Sequence, residues 1–350
     1  MENLKKKNRL LSFLRDSNKK NFFQMCKEVA ILAYLRGEIP KFYLKHLYKK
    51  EFKNWKYYLG TRYGNLIRLS KVLHKPENVS IISNKLLFAF HLERHGLETP
   101  KMVAYNLGSR FFYKEKCHEI GTKADLLKFF ENTFSDRKVD ALFVRPYSLY
   151  GGDGIFKLRA TDFADTLDAH FEHFMKGGFI ITECIVQHPQ IAKIHNSSVN
   201  SIRFLTYIDD TKEVQIVSAF MRFGTGSRII DNACAGGFFI GIDMPSGRLK
   251  EKGYRLALYS GKEVFEHPDS KFKLEGFEIP YFKEACDLVK KAVQHIPDRL
   301  IGWDVAISTN GPVIIEANEG PGLHISDMAY DGLLRNEHIQ EMMRNVLSES

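Results

Sequence analysis

The stretch GWDVAISTNGPVIIEAN, residues 302–318, predicts a β-hairpin. Apolar and small residues lie on both sides of Thr-Asn-Gly at 309–311, and a three-residue hairpin loop with glycine in the left-handed conformation is a common arrangement. This loop places Ser308 opposite Pro312 and so fixes which residues face each other along the two strands. The side chains on those strands decide what chemistry the hairpin can support.

Three oxygen-bearing side chains share one face of the predicted hairpin. The same register places Asp304 opposite Glu316, and because alternate residues of a strand share a face, Asn318 lies on the same side. Two carboxylates and an amide oxygen are hard donors that suit Mg²⁺ held together with substrate phosphates. The hairpin alone is equally compatible with an ordinary polar face. The other segments of the chain are therefore needed to distinguish a metal site from a polar surface.

The composition indicates a soluble globular protein. The chain has 350 residues, of which 44% are hydrophobic, and no apolar run reaches the roughly 18 to 20 residues needed to span a bilayer. The basic N-terminus is not a signal peptide because Arg15 and Asp16 interrupt the apolar patch that follows it. Five scattered cysteines without a Cys-x-x-Cys pair indicate neither a zinc site nor a disulfide framework. We therefore expect a cytoplasmic protein.

Positive charge is concentrated at the start of the chain. Residues 1–75 contain 19 Lys and Arg against 5 Asp and Glu, a net charge of +14, whereas the remainder carries −5. Aromatic and basic residues alternate there, as in Lys53–Tyr58, but no nucleic-acid-binding motif is present, and we expect no nucleic-acid partner. We expect instead a salt-sensitive peripheral contact of this segment with anionic membranes.

Hydrophobic spacing predicts helices and strands in an order typical of α+β proteins. Residues 1–75 show helix-like spacing, and Ser83 is a good N-cap for a helix over 84–95. Strands joined by hairpins, such as the turn predicted at 209–211, favour antiparallel sheets over a doubly wound parallel sheet. The other predicted elements are strands at 141–145, 155–158, 179–185, 202–208 and 214–223, a helix at 162–175 capped by Thr161, and helices at 281–296 and 331–347.

A glycine-rich stretch, RPYSLYGGDGI at 145–155, lies between two predicted strands. Closely spaced glycines let the backbone approach a phosphate and point N–H groups at it, and Arg145 would complement the anion. The stretch is not a Walker A loop because no Gly-Lys-Ser/Thr follows. A plain hairpin turn is the alternative interpretation.

Charged residues also interrupt three apolar strands. Glu183, within IITECIV at 180–186, is either a solvated edge residue or an acceptor for an adenine amino group. Arg203 and Arg222 are flanked by apolar residues, so burial would be costly without an anionic partner. Phosphates or the hairpin carboxylates would supply that partner, and Asn232 follows on the next hairpin.

Further short segments complete the pattern: SNK at 83–85 with GLETP at 96–100, QHP at 187–189, NSIR at 200–203, DN at 231–232 with GG at 236–237, and GPG at 320–322. In this order the segments resemble the ATP-grasp superfamily over roughly residues 80–330. The closest similarity is to its sugar-transfer-associated branch, linked to bacterial cell-surface polysaccharide and capsule synthesis. The resemblance implies an α+β ATP-grasp fold, in which two subdomains clamp ATP between antiparallel sheets, with an N-terminal helical extension.

The resemblance also implies roles for individual residues. Asn84 stands where the family has Asp, and Arg145 replaces Lys, which keeps the charge but changes its geometry to a fork. Arg228 is a candidate for binding a substrate carboxylate. The implied ATP-binding residues are Lys85, Arg145, Ser148, Gly151, Gly152, Gly154, Glu183, Cys184 and Val186, the implied catalytic residues are Arg203, Arg222 and Asn232, and the implied Mg²⁺ ligands are Asp304, Glu316 and Asn318.

The activity implied is that of an ATP-dependent carboxylate–amine ligase that forms an amide through an acyl phosphate. Its substrates would be a small-molecule or glycan-linked carboxylate and amine, such as a sugar acid, amino sugar or amino acid. A small-molecule or sugar kinase and a non-catalytic nucleotide-binding module remain as alternatives. The predicted divisions are a basic helical region (1–78), an α/β subdomain (79–140), an ATP-binding subdomain (141–187) and a catalytic subdomain (188–350).

Overall fold

Two antiparallel sheets form the framework of the protein. The computed structural model describes residues 13–14, 16–148, 154–231, 233, 236–256 and 261–349. The first sheet has the order β3-β2-β1-β6-β4-β5 and the second β11-β10-β9-β8-β7-β12-β13. The strands are β1 Met102–Leu107, β2 Arg110–Tyr113, β3 Lys116–Glu119, β4 Ala141–Pro146, β5 Phe156–Arg159, β6 Gly178–Glu183, β7 Ser201–Ile208, β8 Val214–Phe223, β9 Phe238–Asp243, β10 Arg248–Tyr254, β11 Glu263–Val264, β12 Leu300–Ser308 and β13 Gly311–Asn318.

Helices accompany both sheets, and the predicted α+β class with antiparallel sheets is confirmed. Two 3₁₀ helices, Lys41–Lys45 and Trp55–Tyr57, lie in the N-terminal part, and a third spans Leu333–Arg335. No helix in the described ranges combines the length and apolar character needed to cross a bilayer. The α-helices are α1 Phe22–Arg36, α2 Gly60–Leu69, α3 Pro76–Ile82, α4 Lys85–Arg94, α5 Lys123–Arg137, α6 Phe163–Lys176, α7 Pro189–Ala192, α8 Phe282–His295, α9 His324–Ala329 and α10 Glu337–Glu349.

Each sheet has its own apolar core. Phenylalanines of the first sheet and of α5 and α6, including Phe111, Phe130 and Phe174, pack in edge-on and tilted pairs. In the second sheet Trp303 is fully buried, and its indole N–H donates a 2.8 Å hydrogen bond to the Thr206 hydroxyl. Burial of these large side chains is the main source of stability for each layer.

The N-terminal helical region covers one face of the second sheet. Tyr43, Phe52 and Tyr58 pack in one cluster with Phe220 and Phe239 of that sheet. The same cluster includes Met328 and Ala329 of α9. The described part of the basic segment is therefore part of the folded body.

A buried ion pair stabilises this region. Lys20 donates to the Glu28 carboxylate at 2.7 Å and to the carbonyl oxygens of Leu47 and Phe52 at 2.8 and 2.7 Å. The Tyr43 hydroxyl donates to the same carboxylate at 2.7 Å. All three ammonium protons of Lys20 thus have acceptors, which is the condition under which a buried charge is tolerated.

The central hairpin has the predicted Asp304–Glu316 pair but a different loop. Ser308 pairs with Gly311 rather than Pro312, so the loop contains only two residues. A register shift follows between Asp304 and Val305, where β13 contains one extra residue. This β-bulge compensates for the shorter loop and returns the two carboxylates to opposite positions.

Three helix starts differ from the predictions. Asn84, not Ser83, caps α4, because its side-chain oxygen accepts from the backbone N–H groups of Leu86 and Leu87, whereas Ser83 ends α3. α6 follows Asp162 rather than Thr161. The last helix begins at Glu337, after the 3₁₀ helix, and not near residue 331.

Candidate active site

A cleft of about 720 Å³ is lined by residues of both sheets. Side chains from β4 and β5 and from the segment after β6 meet those of β7, β8, β12 and β13 there. The sequence-predicted residues that line this cleft are Lys85, Arg145, Glu183, Cys184, Val186, Arg222, Asp304 and Glu316. We call this space the interdomain cleft.

Asp304 and Glu316 face each other across the hairpin, and their environments differ. Asp304 is buried, which opposes its ionisation, but Arg203 and Arg222 outweigh burial and hold its pKa below the ordinary value. Burial and the Asp304 charge together raise the pKa of Glu316, and Lys85 only partly offsets them. The pair therefore contains one firmly ionised carboxylate and one whose negative charge is disfavoured.

Sheet register brings the two arginines to Asp304. β7 lies between β8 and β12, and Arg203 is directly opposite Asp304. Arg203 donates to both carboxylate oxygens, and Arg222 contacts Oδ2 at 2.9 Å. Arg222 also lies 3.6 Å from the Asp231 carboxylate. The anionic partner expected for both arginines is therefore a hairpin carboxylate.

Two further cations point at the same region from the opposite wall. The Lys85 ammonium at the start of α4 lies 3.8 Å from Glu316. Arg145 is 5% exposed, donates to the Ile315 carbonyl oxygen at 3.1 Å, and has no partner for its Nε among the described residues. Burial lowers the pKa of both groups. A buried guanidinium with an unused donor favours an anionic ligand.

The segment predicted to bind adenine leaves the sheet where β6 ends. Arg137 donates to the Glu183 carboxylate, and Lys101 lies 3.9 Å from it. The Val186 carbonyl oxygen accepts from the Thr309 N–H at 3.1 Å. The segment thus lines the cleft, but cations already surround the carboxylate that was predicted to accept from an adenine amino group.

Several residues that were predicted to belong to the site do not line the interdomain cleft. Ser148 and Gly154 are described but do not line the interdomain cleft. Arg228 is exposed and does not line the interdomain cleft, and its Nη1 lies 2.7 Å from the position of a Cβ on Gly236. Arg203 and Asn318 adjoin the cleft through Asp304 and Glu316. Gly151, Gly152 and Asn232 lie outside the described residues.

Three charged residues of the cleft had no predicted role: Lys157, Arg159 and Asp231, the last of which was noted only as part of the DN segment. Lys157 and Arg159 alternate with buried apolar residues on β5, so strand alternation was the available signal. Asp231 accepts from the Ser201 N–H and hydroxyl at 2.7 and 2.6 Å. Burial raises the pKa of Asp231, against the opposing effect of Arg222.

The donor set at the end of the hairpin fits Mg²⁺. Asp304 and Glu316 are close enough that one charge raises the pKa of the other, a repulsion that a divalent cation between them would relieve. The Asn318 amide nitrogen donates to the Gly302 carbonyl oxygen at 3.4 Å, so its oxygen is the atom left for a metal. Two carboxylates and an amide oxygen are the oxygen ligands that Mg²⁺ prefers.

Two antiparallel sheets around a cleft with facing carboxylates and converging cations define a protein of the ATP-grasp class. The protein-family model described as "Sugar-transfer associated ATP-grasp" matches residues 66–342, and the chain belongs to that family. The predicted family is therefore confirmed. No curated protein matches the chain.

The chain is similar to solved structures of ATP-grasp ligases at low identity. A D-alanyl-alanine synthetase A from Vibrio cholerae O1 biovar eltor is 12% identical, with a TM-score of 0.49 over 79% of this chain and 67% of that one. The ATP-grasp ligase PsnB, solved with a minimal precursor, Mg and ADP, is 12% identical, with a TM-score of 0.41 over 79% and 61%. The D-alanine–D-alanine ligase from Bacillus anthracis with ATP is 14% identical, with a TM-score of 0.43 over 80% and 71%. This chain thus spans about three fifths of PsnB.

Proposed function

We propose that this protein is an ATP-dependent carboxylate–amine ligase that forms an amide for cell-surface polysaccharide biosynthesis. Its substrates in this proposal are a sugar acid, amino sugar or amino acid, free or linked to a glycan. One observation carries the proposal: the facing carboxylates Asp304 and Glu316 share a cleft with Lys85, Arg145 and Arg222. This combination suits a triphosphate bound together with a divalent cation.

In this proposal the cations divide the work of holding ATP. Lys85 and Arg145, on the wall opposite the carboxylates, bind phosphate oxygens, and the unused Nε–H of Arg145 is the donor available for that contact. Asp304, Glu316 and Asn318 hold Mg²⁺, which when bound would neutralise charge on the phosphate oxygens. Arg203 fixes the orientation of Asp304, because it donates to both of its oxygens.

The chemistry proposed needs no nucleophilic side chain. A substrate carboxylate oxygen attacks the γ-phosphorus of ATP, ADP leaves, and an acyl phosphate forms. The amine then attacks the acyl carbon, the carbon–oxygen bond to phosphate breaks, and the amine proton ends on the phosphate that departs. The chain's residues contribute by orienting the reactants and by placing positive charge where negative charge develops.

Product analysis tests the reaction class. We expect ADP and phosphate with a suitable carboxylate and amine, and hydroxylamine should trap the intermediate as a hydroxamate. Arg145→Ala should abolish turnover, whereas Arg344→Ala, which removes an exposed arginine of α10, should leave it unchanged. AMP and pyrophosphate would contradict the mechanism. A phosphorylated product that resists hydroxylamine would indicate that the protein is a kinase. Full biological function of the Glu316→Gln variant would indicate a non-catalytic nucleotide-binding module.

We further propose that α1 contacts an anionic membrane surface. Phe23 and Tyr34 of this helix are 84% and 88% exposed, and Phe22 and Ile39 are also exposed, within the segment of net charge +14. Aromatic side chains beside lysines are typical of peripheral membrane-binding surfaces. We also propose that the protein is cytoplasmic. We propose that the chain divides into the four regions predicted from the sequence, with boundaries after residues 78, 140 and 187.

Vesicle co-sedimentation tests the membrane contact. Binding to anionic vesicles should fall with rising salt and should be weaker for a Phe23→Ser, Tyr34→Ser double variant. Leu107→Ser, at an apolar position on β1 that is 55% exposed, is the control. Deletion of residues 1–75 is unsuitable because Tyr43, Tyr58 and Ile67 belong to the core. Equal binding to neutral vesicles, or no effect of the double variant, would refute the contact.

A further inference from the structure

A second cleft, of about 480 Å³, lies between the N-terminal helical region and the loop that follows β13. One wall consists of residues 42–46 and 58–68, and the opposite wall includes residues 321–328. Residues 255, 256 and 261 complete the lining. We call this space the N-terminal cleft. Its volume lies in the range of sites for sugar- or amino-acid-sized ligands.

The N-terminal cleft carries an excess of positive charge. Lys45, Arg68 and Arg255 line it, and Asp327 is the one carboxylate among its lining residues within the described chain. The two Asp327 oxygens accept from backbone N–H groups at 2.8 and 2.9 Å, and burial raises its pKa to about 7. Asp327 is therefore held by the backbone and forms no ion pair with either arginine.

Neither arginine has an anionic partner in the described parts of the chain. Arg68 and Arg255 form no ion pair and no side-chain hydrogen bond with a described residue. The neighbouring His46 is buried, and its pKa is lowered to about 3 by burial and by the nearby Lys45, His324 and Lys49. The potential in this cleft thus disfavours a further cation and favours an anion.

The N-terminal cleft adjoins the metal-binding end of the interdomain cleft. The Arg68 side chain packs on Gly320, two residues after Asn318, with its Cγ 2.8 Å from the position of a glycine Cβ. Pro321, which lines the N-terminal cleft, lies equally close to Gly302, beside the Arg203 side chain that pairs with Asp304. Pro321 and the Arg203 side chain therefore link the N-terminal cleft to the carboxylate end of the interdomain cleft.

We propose that the N-terminal cleft binds an anionic group, a carboxylate or a phosphate, of a substrate of the ligase, and that Arg68 and Arg255 hold it. The proposal rests on the proposed function, because the site matters to the reaction only if the interdomain cleft binds ATP. It gives the N-terminal region a second role besides covering the sheet: it forms one wall of a substrate site. The substrate would then reach the phosphates past the Gly-Pro-Gly loop.

Calorimetric titration of the full-length protein tests the proposal with two probes, inorganic phosphate and glucuronate. The interdomain cleft is first saturated with Mg²⁺ and a non-hydrolysable ATP analogue, so that phosphate cannot bind there. We expect at least one probe to bind. Arg68→Gln and Arg255→Gln should each lower the affinity for that probe by at least about tenfold, the loss typical of a charge-assisted hydrogen bond. Arg344→Gln, which removes an exposed arginine of α10 that does not line the N-terminal cleft, should bind as wild type does, and neutral glucose should not bind.

The outcomes separate this proposal from the proposed function. Binding of phosphate alone would identify a phosphorylated substrate, and binding of glucuronate alone a carboxylate. Binding of neither probe, or equal binding by the two arginine variants and wild type, would overturn the proposal even if the ATP analogue binds normally. If the analogue fails to bind, the proposed function fails instead, and titration of the nucleotide-free protein still decides whether the N-terminal cleft is an anion site.

Discussion

The facing carboxylates Asp304 and Glu316 should respond in opposite ways to loss of charge. Asp304→Asn leaves Arg203 and Arg222, only 15% and 13% exposed, without their shared counter-charge. Removal of one partner from a buried ion pair costs about 3–5 kcal/mol. Because Arg222 keeps Asp231 at 3.6 Å, we expect the lower end, about 3 kcal/mol, for the loss in the free energy of unfolding.

Glu316→Gln should lower the free energy of unfolding far less than Asp304→Asn does. The substitution removes the repulsion with Asp304 that raises the pKa of Glu316, and it loses the attraction of Glu316 to Lys85, 3.8 Å away, and to Arg203. These two effects oppose each other, so the free energy of unfolding should stay within about 1 kcal/mol of wild type.

Urea unfolding at pH 7, without nucleotide or Mg²⁺, measures both values from the transition midpoint and slope. Glu119→Gln, which breaks a largely exposed pair with Arg110, is the control and should change stability by less than about 1 kcal/mol. Equal stability of Asp304→Asn and Glu316→Gln would refute the assignment of Asp304 as the buried counter-ion of the arginines.

Three further predictions concern stability. Lys20→Met should lower the free energy of unfolding by about 3–5 kcal/mol in urea titrations, because it leaves the Glu28 carboxylate buried without its cation; a loss below about 1 kcal/mol would contradict this. His46 stays neutral in the folded protein because its pKa is lowered to about 3, whereas in the unfolded chain it is protonated below about pH 6.5. The free energy of unfolding should therefore be unaffected by His46 above pH 6.5 and should fall by about 1.4 kcal/mol per pH unit as the pH drops from there towards 3. His46→Phe should remove this slope when urea midpoints at pH 5 and 8 are compared, and an unchanged slope would exclude His46 as its source. Gly302→Ala should destabilise the protein in thermal unfolding because the new Cβ would lie 2.8 Å from the proline of the Gly-Pro-Gly loop, whereas Gly64→Ala, with open space around the position, should be neutral or stabilising.

Local sequence patterns predicted the elements whose signals are local. Val214–Phe223 has the predicted bounds, and the Asp304–Glu316 pair was found from alternation and turn chemistry alone. The loop length was wrong because a bulge on β13 is not visible in the alternation of side chains. Likewise, the predicted cap Ser83 ends the preceding helix α3, and the Asn84 side chain caps α4 instead, an arrangement that the local sequence did not reveal.

The candidate site was predictable where a strand brings its own residues together. The contacts of Arg203 and Arg222 with Asp304 depend on strand order in the sheet, which local spacing does not determine. The same limitation explains why Asp231 was not selected and why the basic N-terminal segment could not be assigned to a cleft wall. Arg68 and Gly320 are far apart in the chain and meet only because the helical region packs on the second sheet.

The most direct test of the central claim is the thermal unfolding midpoint of wild type and Glu316→Gln, with and without Mg²⁺-ATP. A ligand at about 100 times its Kd stabilises the folded state by about 2.7 kcal/mol, so wild type should unfold at a clearly higher temperature with both ligands present. We expect this increase to need Mg²⁺ and to be much smaller in Glu316→Gln, although the two proteins have similar midpoints without ligand. No increase in wild type, or an equal increase in both proteins, would contradict the assignment of the facing carboxylates to a Mg²⁺-nucleotide site.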